Sequence, residues 1–390
     1  MPKELYGLPA PAQSALAYYS AAVADCRGAY TTVEKARKTS DSRLTFYLKW
    51  LESVGLGSVS TFDGLKTSTK NYIMGCYLIH LSLGNTLLCK SIKTDTIEDY
   101  LNVAIKYYTS TGRPNPTWDG SARRSSVVND ILVESRRWES IADRREPITW
   151  TMVTYQQQLA SKHPSTSLDA ALADWMVLGM YTGFRLSEWA QPSDYAAKAK
   201  KKGLPPYQLG RHQDSLAITA SDIAFGSNER GPYVSITWRY QKNGFNGEKI
   251  IFAACPAYPS RCPVAATKRI LARAQAFNIP THVPLAWALQ QGSPRLITDN
   301  DIARILRFAA AQVYNITCDD DLAKWTSHSI RVGACVALLE TGCDTTFIQN
   351  RLRWRSDSFK MYLRHTPILA FQHARFINPD NTPFHLQHQV

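Results

Sequence analysis

The stretch DAALADWMVLGMYTGFRLSEWA, residues 169–190, indicates the fold class of the second half of the chain. Its apolar spacing predicts one helix through the whole stretch. Three runs of β-type residues follow: LAITASDIAF (216–225), YVSITWRYQ (233–241) and EKIIFAA (248–254). Helical patterns return after them. This order predicts a mixed α+β domain with a small antiparallel sheet.

One of the later helices has a clear start signal. Ile302, Ile305, Leu306, Ala309 and Ala310 recur at three- and four-residue spacing. Thr298 stands just before them and predicts an N-terminal cap, so the helix should begin near residue 299.

Upstream of this region the pattern is helical from about residue 11 to 115. LTFYLKWLESVGL (44–56) and NYIMGCYLIHLSLGNTLL (71–88) carry apolar residues at helical spacing, and strand signals are scarce. A chain of 390 residues is long enough for two domains, each with its own core. We predict an all-α domain at 11–120, a second domain at 147–378 and a tail at 379–390.

Between the two predicted domains, residues 121–146 are basic and begin after Pro and Gly breakers. Three arginine doublets mark the segment: Arg123 and Arg124, Arg136 and Arg137, Arg144 and Arg145. One interpretation is a linker, ending near Pro147, whose arginines contact phosphates. The other is a solvated helix face whose arginines pair with glutamates of their own.

Overall composition favours a polynucleotide partner and gives no sign of a metal site. The net charge is +13 and the pI is about 9.3, as expected of a protein that neutralises phosphates. The eight cysteines are scattered, with no CxxC pair or Cys/His cluster of zinc spacing. No apolar run approaches the ~18 residues of a membrane span, and the N-terminus lacks a signal-peptide pattern.

Four separated segments carry residues that could act on a phosphate. YTGFRLSEW (181–189) places Arg185 just after a glycine and close to Glu188, and WRYQKNGFNGEKI (238–250) places Lys242 where a predicted hairpin begins to turn. Taken alone, the arginine would be a surface or ion-pair residue and the lysine would serve solubility.

The other two segments lie near the C-terminus. TSHSIRVGACVALLETG (326–342) puts His328 and Arg331 three residues apart at a helix start, on one side of the helix. NRLRWRSDSFKMYLRH (350–365) holds Trp354 and Tyr362 in a basic, aromatic context. The pair could also be a capping histidine beside a solvent arginine, and the tyrosine could simply anchor a helix to the core.

In this order, the four segments resemble the tyrosine recombinase family, also called the phage-integrase family. The resemblance runs from the REPIT segment (145–149) to about His365, and the short RWRSD form (353–357) looks like members from eukaryotic mobile elements. It implies that the helical first half is a core-binding domain and that the second half is the catalytic domain.

The resemblance also implies a set of site residues. The family's catalytic positions fall on Arg185, Lys242, His328, Arg331, Trp354 and Tyr362, with Glu188 in structural support. Lys249 on the same hairpin is the alternative to Lys242. Two departures stand out: Arg353 occupies a position that is usually glycine, and the spacing from Trp354 to Tyr362 is one residue shorter than usual.

These residue types suit strand cleavage. A phosphodiester under attack gains negative charge on its oxygens, and guanidinium forks can bind that charge. A tyrosine hydroxyl, with an ordinary pKa near 10, needs cations or a base to become a nucleophile. By family resemblance, His328 accepts or steers the proton of Tyr362, and Lys242 protonates the leaving 5′ oxygen.

The implied function is a site-specific recombinase or integrase that acts through a 3′-phosphotyrosine without metal, ATP or any other cofactor. Its partner would be double-stranded DNA, bound by a homotetramer that is weakly associated without DNA, with no membrane role. We expect nuclear localisation in a eukaryote and cytoplasmic localisation otherwise. The alternatives are a type IB topoisomerase, which relaxes supercoils, and a domesticated protein that binds DNA without cutting it.

Two further segments could contact DNA or a neighbouring subunit. Lys198, Lys200, Lys201 and Lys202 form a run that is a candidate phosphate contact, although a solvated loop is the favoured interpretation. The tail ARFINPDNTPFHLQHQV (374–390) could dock on another subunit or fray.

Overall fold

The computed structural model describes residues 34–87, 91–139, 144–191, 217–239, 241 and 246–363. The chain is mostly helical and contains a small antiparallel sheet. It divides into two compact units, Met1–Ala142 and Asp143–Val390. Among the described residues, none of the helices combines the length and apolar character needed to cross a bilayer.

Four helices and their buried aromatic residues form the described part of the first unit. They are α1 (Glu34–Ser53), α2 (Thr67–Ser82), α3 (Thr94–Thr109) and α4 (Ser126–Arg137). Helix α3 shows the pattern that drives the packing, since Ile97, Leu101, Ala104 and Tyr108 are buried at three- and four-residue spacing. Inside the core, the hydroxyl of Tyr108 hydrogen-bonds that of Tyr47 at 2.7 Å.

Helix α4 lies within residues 121–146, the segment predicted as a basic linker. Val128 and Leu132, one helical turn apart, are buried in the core of the first unit. The helical part of the segment therefore packs against the other helices of that unit.

The second unit begins with two helices, α5 (Trp150–Ala160) and α6 (Leu168–Thr182). Helix α6 is buried on nearly all sides from Ala171 to Met180, so it forms the centre of the core. The predicted single helix over 169–190 is wrong, because Gly183 adopts a left-handed φ of 52° and ends α6. A separate short helix, α7 (Leu186–Trp189), follows immediately.

The predicted antiparallel sheet is confirmed, with strands β1 (Ile223–Asn228), β2 (Gly231–Trp238) and β3 (Glu248–Ala253) in that order. The first strand starts later than its β-type run. Thr219 and Asp222 cap a 3₁₀ turn at Ala220–Asp222, with the Thr219 N–H donating to Asp222 Oδ2 at 2.8 Å. Strands β2 and β3 pair from Tyr233 opposite Ala253 to Trp238 opposite Glu248.

Helices and one small hairpin complete the unit. They are α8 (Pro263–Ala276), β4 (Trp287–Gln290), β5 (Ser293–Leu296), α9 (Asp299–Tyr314), α10 (Asp319–Leu322), α11 (Ser329–Glu340), α12 (Thr345–Arg351) and α13 (Lys360–Leu363). The predicted cap of α9 is confirmed, because the Asp301 N–H donates to Thr298 Oγ1 at 3.4 Å. The hairpin β4–β5 was not predicted.

Candidate active site

Tyr362 lies in α13, directly after a 3₁₀ turn at Asp357–Phe359. Phe359 and Leu363 on either side of it are buried, so they hold this short segment against the core. The tyrosine itself is only partly buried, and it borders a cavity of about 340 Å³. Its hydroxyl lies 3.0 Å from Nε2 of His328. The anchoring residues of the segment are therefore its neighbours, which leaves the Tyr362 hydroxyl available for chemistry.

His328 directly precedes α11 and faces Tyr362 across a ring-to-ring distance of 5.6 Å. Burial holds the pKa of His328 below its ordinary value, and the charges of Arg331, Arg145 and Arg185 act in the same direction. The imidazole is therefore neutral at pH 7. In the tautomer protonated on Nδ1, its Nε2 can accept the tyrosine proton.

The phenol of Tyr362 is also neutral at pH 7. Burial and the Cys335 thiol raise its pKa, while the charges of Arg331 and Arg145 oppose the rise. The unliganded site therefore holds a neutral phenol beside a neutral imidazole. At neutral pH the phenolate of Tyr362 is therefore only a minor species.

Arg331 lies one helical turn after His328, and its side chain is almost completely buried. Its guanidinium donates to the carbonyl oxygen of Gly183 and, at 3.2 Å, to that of Leu352. Burial and the nearby Arg185 lower the pKa of Arg331 to about 9, which leaves the group charged at neutral pH. The left-handed turn at Gly183 thus presents a carbonyl that orients this arginine.

Arg185 follows the same turn, at the start of α7. Its Nη1 donates to Oε1 of Glu188 at 2.7 Å, and its backbone N–H donates to Oε2 of Glu188 at 3.0 Å. The side chain of Glu188 is only 5% exposed, whereas that of Arg185 is 23% exposed. The glutamate therefore acts as a buried support, and the guanidinium it holds keeps access to solvent.

Trp354 covers Arg331, with the guanidinium carbon 4.0 Å from the ring centroid. Its ring centroid is 6.2 Å from that of Tyr362. The indole Nε1 is buried and has no hydrogen-bond partner among the described residues. It lies near the thiol of Cys335, whose pKa burial raises to about 11 while the indole opposes the rise. A buried donor beside a candidate nucleophile can serve an incoming acceptor.

Arg353 takes part in the site, which the sequence did not predict. Its backbone is left-handed, with a φ of 57°, and its side chain is fully buried. Its Nη2 donates to Oε2 of Glu188 at 2.7 Å. A positive φ is the conformation that glycine adopts most easily, so the geometry accounts for the glycine usual at this position.

Other predicted residues lie elsewhere or outside the described part. Lys242, Lys198, Lys200, Lys201 and Lys202 are outside the described residues, as is the tail 379–390. Lys249 is exposed on β3, next to the buried Ile250. Among the described residues, no group of three or more His, Cys, Asp or Glu side chains could hold a metal.

The arginine doublets divide into two kinds. Arg124 and Arg136 both pair with Glu98, at 2.8 and 2.7 Å, and Arg137 pairs with Glu134 at 3.1 Å. Arg123 is exposed in a turn. The interpretation as a face with its own glutamate partners therefore fits this part of the segment.

Arg144 and Arg145 differ from the other doublets. Arg144 donates to the carbonyl oxygen of Met361 at 3.2 Å, and Arg145 donates to that of Ala323 at 3.1 Å. The charge of Arg145 also acts on His328 and Tyr362. This last doublet therefore borders the candidate active site.

Comparisons with known proteins give distant structural matches only. No protein-family model and no curated protein matches the chain. Part of the Tn1549 transposon integrase, in complex with transposon right end DNA, has a TM-score of 0.48 and 13% identity over 91% of this chain and 97% of that chain.

Two other solved structures are similar to the chain. The XerH site-specific recombinase bound to its difH substrate has a TM-score of 0.44 and 10% identity, over 85% of this chain and 76% of that chain. A lambda integrase dimer bound to a core site has a TM-score of 0.36 and 16% identity, over 83% of this chain and 94% of that chain.

Proposed function

We propose that the chain is a tyrosine recombinase that cleaves and rejoins DNA through a 3′-phosphotyrosine at Tyr362, without metal or ATP. The observation that carries the proposal is the 3.0 Å contact between the Tyr362 hydroxyl and Nε2 of His328, with Arg331 one helical turn from that histidine. The contact supports the proposal because it pairs a hydroxyl with a possible base that lies 34 residues away in the sequence.

In the cleavage step, the Tyr362 oxygen attacks the phosphorus and its proton passes to Nε2 of His328. The bond from phosphorus to the 5′ oxygen breaks, and that oxygen takes a proton from Lys242 or Lys249. The lowered pKa of His328 keeps the imidazole neutral, so its Nε2 can accept a proton. The raised pKa of Tyr362 keeps the proton on the hydroxyl until the attack begins. The phosphotyrosine ester retains the bond energy, so attack by a 5′ hydroxyl reverses the step without ATP.

The arginines act on the charge that develops at phosphorus. Arg185 is the more accessible of the two and can offer a fork to the non-bridging oxygens. Arg331 is buried in the protein interior, where the dielectric constant is low and solvent weakens its charge little. The Trp354 ring lies over the Arg331 guanidinium, so this arginine acts on the phosphate from behind that ring.

Other parts of the proposal rest on the family resemblance. Lys242, or Lys249, would protonate the 5′ oxygen as it leaves. The partner would be double-stranded DNA held by a homotetramer, a role that suits the net charge of +13. The protein would act in the nucleus of a eukaryote or in the cytoplasm of a prokaryote.

A suicide substrate tests the proposal. A nicked duplex that loses its 5′ end after cleavage should trap the wild-type chain as a covalent adduct. Tyr362→Phe should give no adduct and still bind the duplex, because only one hydroxyl is removed.

Tyr314→Phe is a matched control for the suicide-substrate experiment. It also removes one hydroxyl, which hydrogen-bonds Thr149 Oγ1 at 2.6 Å. Thr149 lines the cavity beside Tyr362, but Tyr314 itself does not. This variant should form the adduct at the wild-type rate. An adduct formed by Tyr362→Phe would overturn the assignment.

A further inference from the structure

Arg353 holds a backbone conformation that is unfavourable for its residue type. Its φ of 57° lies in the left-handed region, where a Cβ is crowded and glycine is preferred. Residues of this kind persist only where the surroundings fix them, and they concentrate at functional sites. The contacts of the Arg353 side chain must therefore offset the backbone cost.

Those contacts join four separate parts of the second unit. Besides Glu188 in α7, Arg353 donates from Nη1 to the carbonyl oxygen of Thr182, at the end of α6, at 3.3 Å. Its Nε donates to Oε1 of Gln241 at 3.3 Å, and its guanidinium carbon lies 3.8 Å from the ring centroid of Trp238 in β2. Both the fork and the face of the guanidinium are in use.

Glu188 is shared between two guanidiniums. Its Oε1 accepts from Arg185, and its Oε2 accepts from Arg353, each at 2.7 Å. The carboxylate plane is thereby fixed from both sides, and the orientation of Arg185 depends on it. The charge of Glu188 is shared between the two guanidiniums, and Glu248 supplies a second negative charge near Arg353.

Gln241 connects the same arginine to the hairpin. The Gln241 N–H donates to Oδ1 of Asn246 at 2.7 Å, and its Nε2 donates to Oε2 of Glu248 at 2.9 Å. Gln241 thus bridges Arg353 to Asn246 and Glu248, at the start of β3. Arg353 holds this bridge by its side chain.

From these contacts we infer that Arg353 is a positioning residue, which orients Arg185 through Glu188 and holds Gln241 at the start of β3. The inference rests on the proposed function and adds a residue to it. Arg353 itself is buried behind the site, so it acts on the reaction only through these partners.

The test compares the same conservative change at two buried arginines. Arg353→Lys keeps the charge but loses the planar fork that reaches three acceptors at once. Arg273→Lys is the matched control: Arg273 is also buried, donating to Asp174 Oδ2 at 2.6 Å and to the carbonyl oxygen of Ser165 at 2.8 Å, outside the candidate active site. Urea unfolding of both variants gives the stability loss in each case.

The functional readouts are the single-turnover rate of adduct formation at saturating suicide substrate and, separately, the Kd for the duplex. Arg353→Lys should lower the rate roughly 100-fold, the effect of a small misplacement of a catalytic group, with the Kd unchanged. Arg273→Lys should keep the wild-type rate. Should Arg353→Lys fail to fold, Arg353→Gly is used in its place, because glycine suits the backbone at this position.

A double-mutant cycle identifies the route. Glu188→Gln should slow adduct formation strongly in the wild-type background and little in an Arg353→Gly background, since both changes break one chain of contacts.

Four outcomes would overturn the inference. They are wild-type rates in the Arg353 variants, equal rate losses at Arg273 and Arg353, unfolding of both Arg353 variants while Arg273→Lys folds, and strict additivity with Glu188→Gln. A wild-type chain that forms no adduct at all would instead overturn the proposed function, and with it this role.

Discussion

His328→Ala tests whether His328 accepts the proton of Tyr362 during cleavage. At pH 7 the histidine is neutral and its Nε2 lies 3.0 Å from the Tyr362 hydroxyl, so it can take the proton during attack. The variant must rely on the ionised phenol instead. With a pKa raised above its ordinary value of about 10, fewer than roughly 1 phenol in 10³ is ionised at pH 7. Adduct formation should therefore slow about 10³-fold, within the 10²- to 10⁴-fold range of general-base catalysis.

The pH dependence separates the two routes. The folded-state pKa of His328 is lowered, so the base is available at pH 7 and is lost only as the pH falls below that pKa. The wild-type rate should thus be level around neutrality and decline in acid. The rate of His328→Ala should instead rise about tenfold per pH unit up to at least pH 10, following phenol ionisation.

Single-turnover adduct formation on the suicide substrate, followed from pH 5 to 10, measures both profiles. His163→Ala serves as control, because His163 is half exposed and lies 3.9 Å from Asp169, outside the site. It should reproduce the wild-type profile. A His328→Ala variant with the wild-type rate, or with a profile parallel to that of the wild type, would refute proton transfer to His328.

Three other changes follow from the structure. Trp354→Phe keeps a ring over Arg331 but removes the buried indole N–H, and should slow adduct formation about 10- to 100-fold in a variant that is still folded at the assay temperature. A wild-type rate would show that this donor is not used. Gly333→Ala places a Cβ against the Ile148 carbonyl oxygen, and should lower the free energy of unfolding in urea by about 1–3 kcal/mol, whereas an unchanged midpoint would contradict the close packing there. Duplex binding should weaken as salt is added. The logarithm of the association constant should fall against the logarithm of the salt concentration with a slope of roughly −0.9 per phosphate contacted. An unchanged association constant would argue against contacts to the DNA phosphates.

Local signals in the sequence predicted part of the fold. The start of α9 followed from Thr298 and the apolar spacing after it, and the β2–β3 pair followed from two β-type runs around a turn of Asn and Gly. The hairpin β4–β5 was not predicted, because its turn lacks the stronger Asn-Gly signal. The turn consists of Gln291 and Gly292, which both have a positive φ.

Other features depended on tertiary contacts that no single segment reveals. Apolar spacing alone could not show that Gly183 would turn left-handed and end α6. Likewise, Arg353 looked like a departure from a pattern, because its partners Glu188 and Gln241 are more than a hundred residues away in the sequence. The candidate site residues were predictable from the order of their motifs, but the contacts that hold them in place were not.

The most direct test identifies the residue that carries the DNA. Wild-type adduct from the suicide substrate is digested with nuclease and trypsin, and the peptide that retains a nucleotide is sequenced by mass spectrometry. Cleavage after Lys360 and Arg364 should release MYLR, residues 361–364, with the nucleotide on Tyr362. A nucleotide on any other residue would contradict the assignment of the nucleophile.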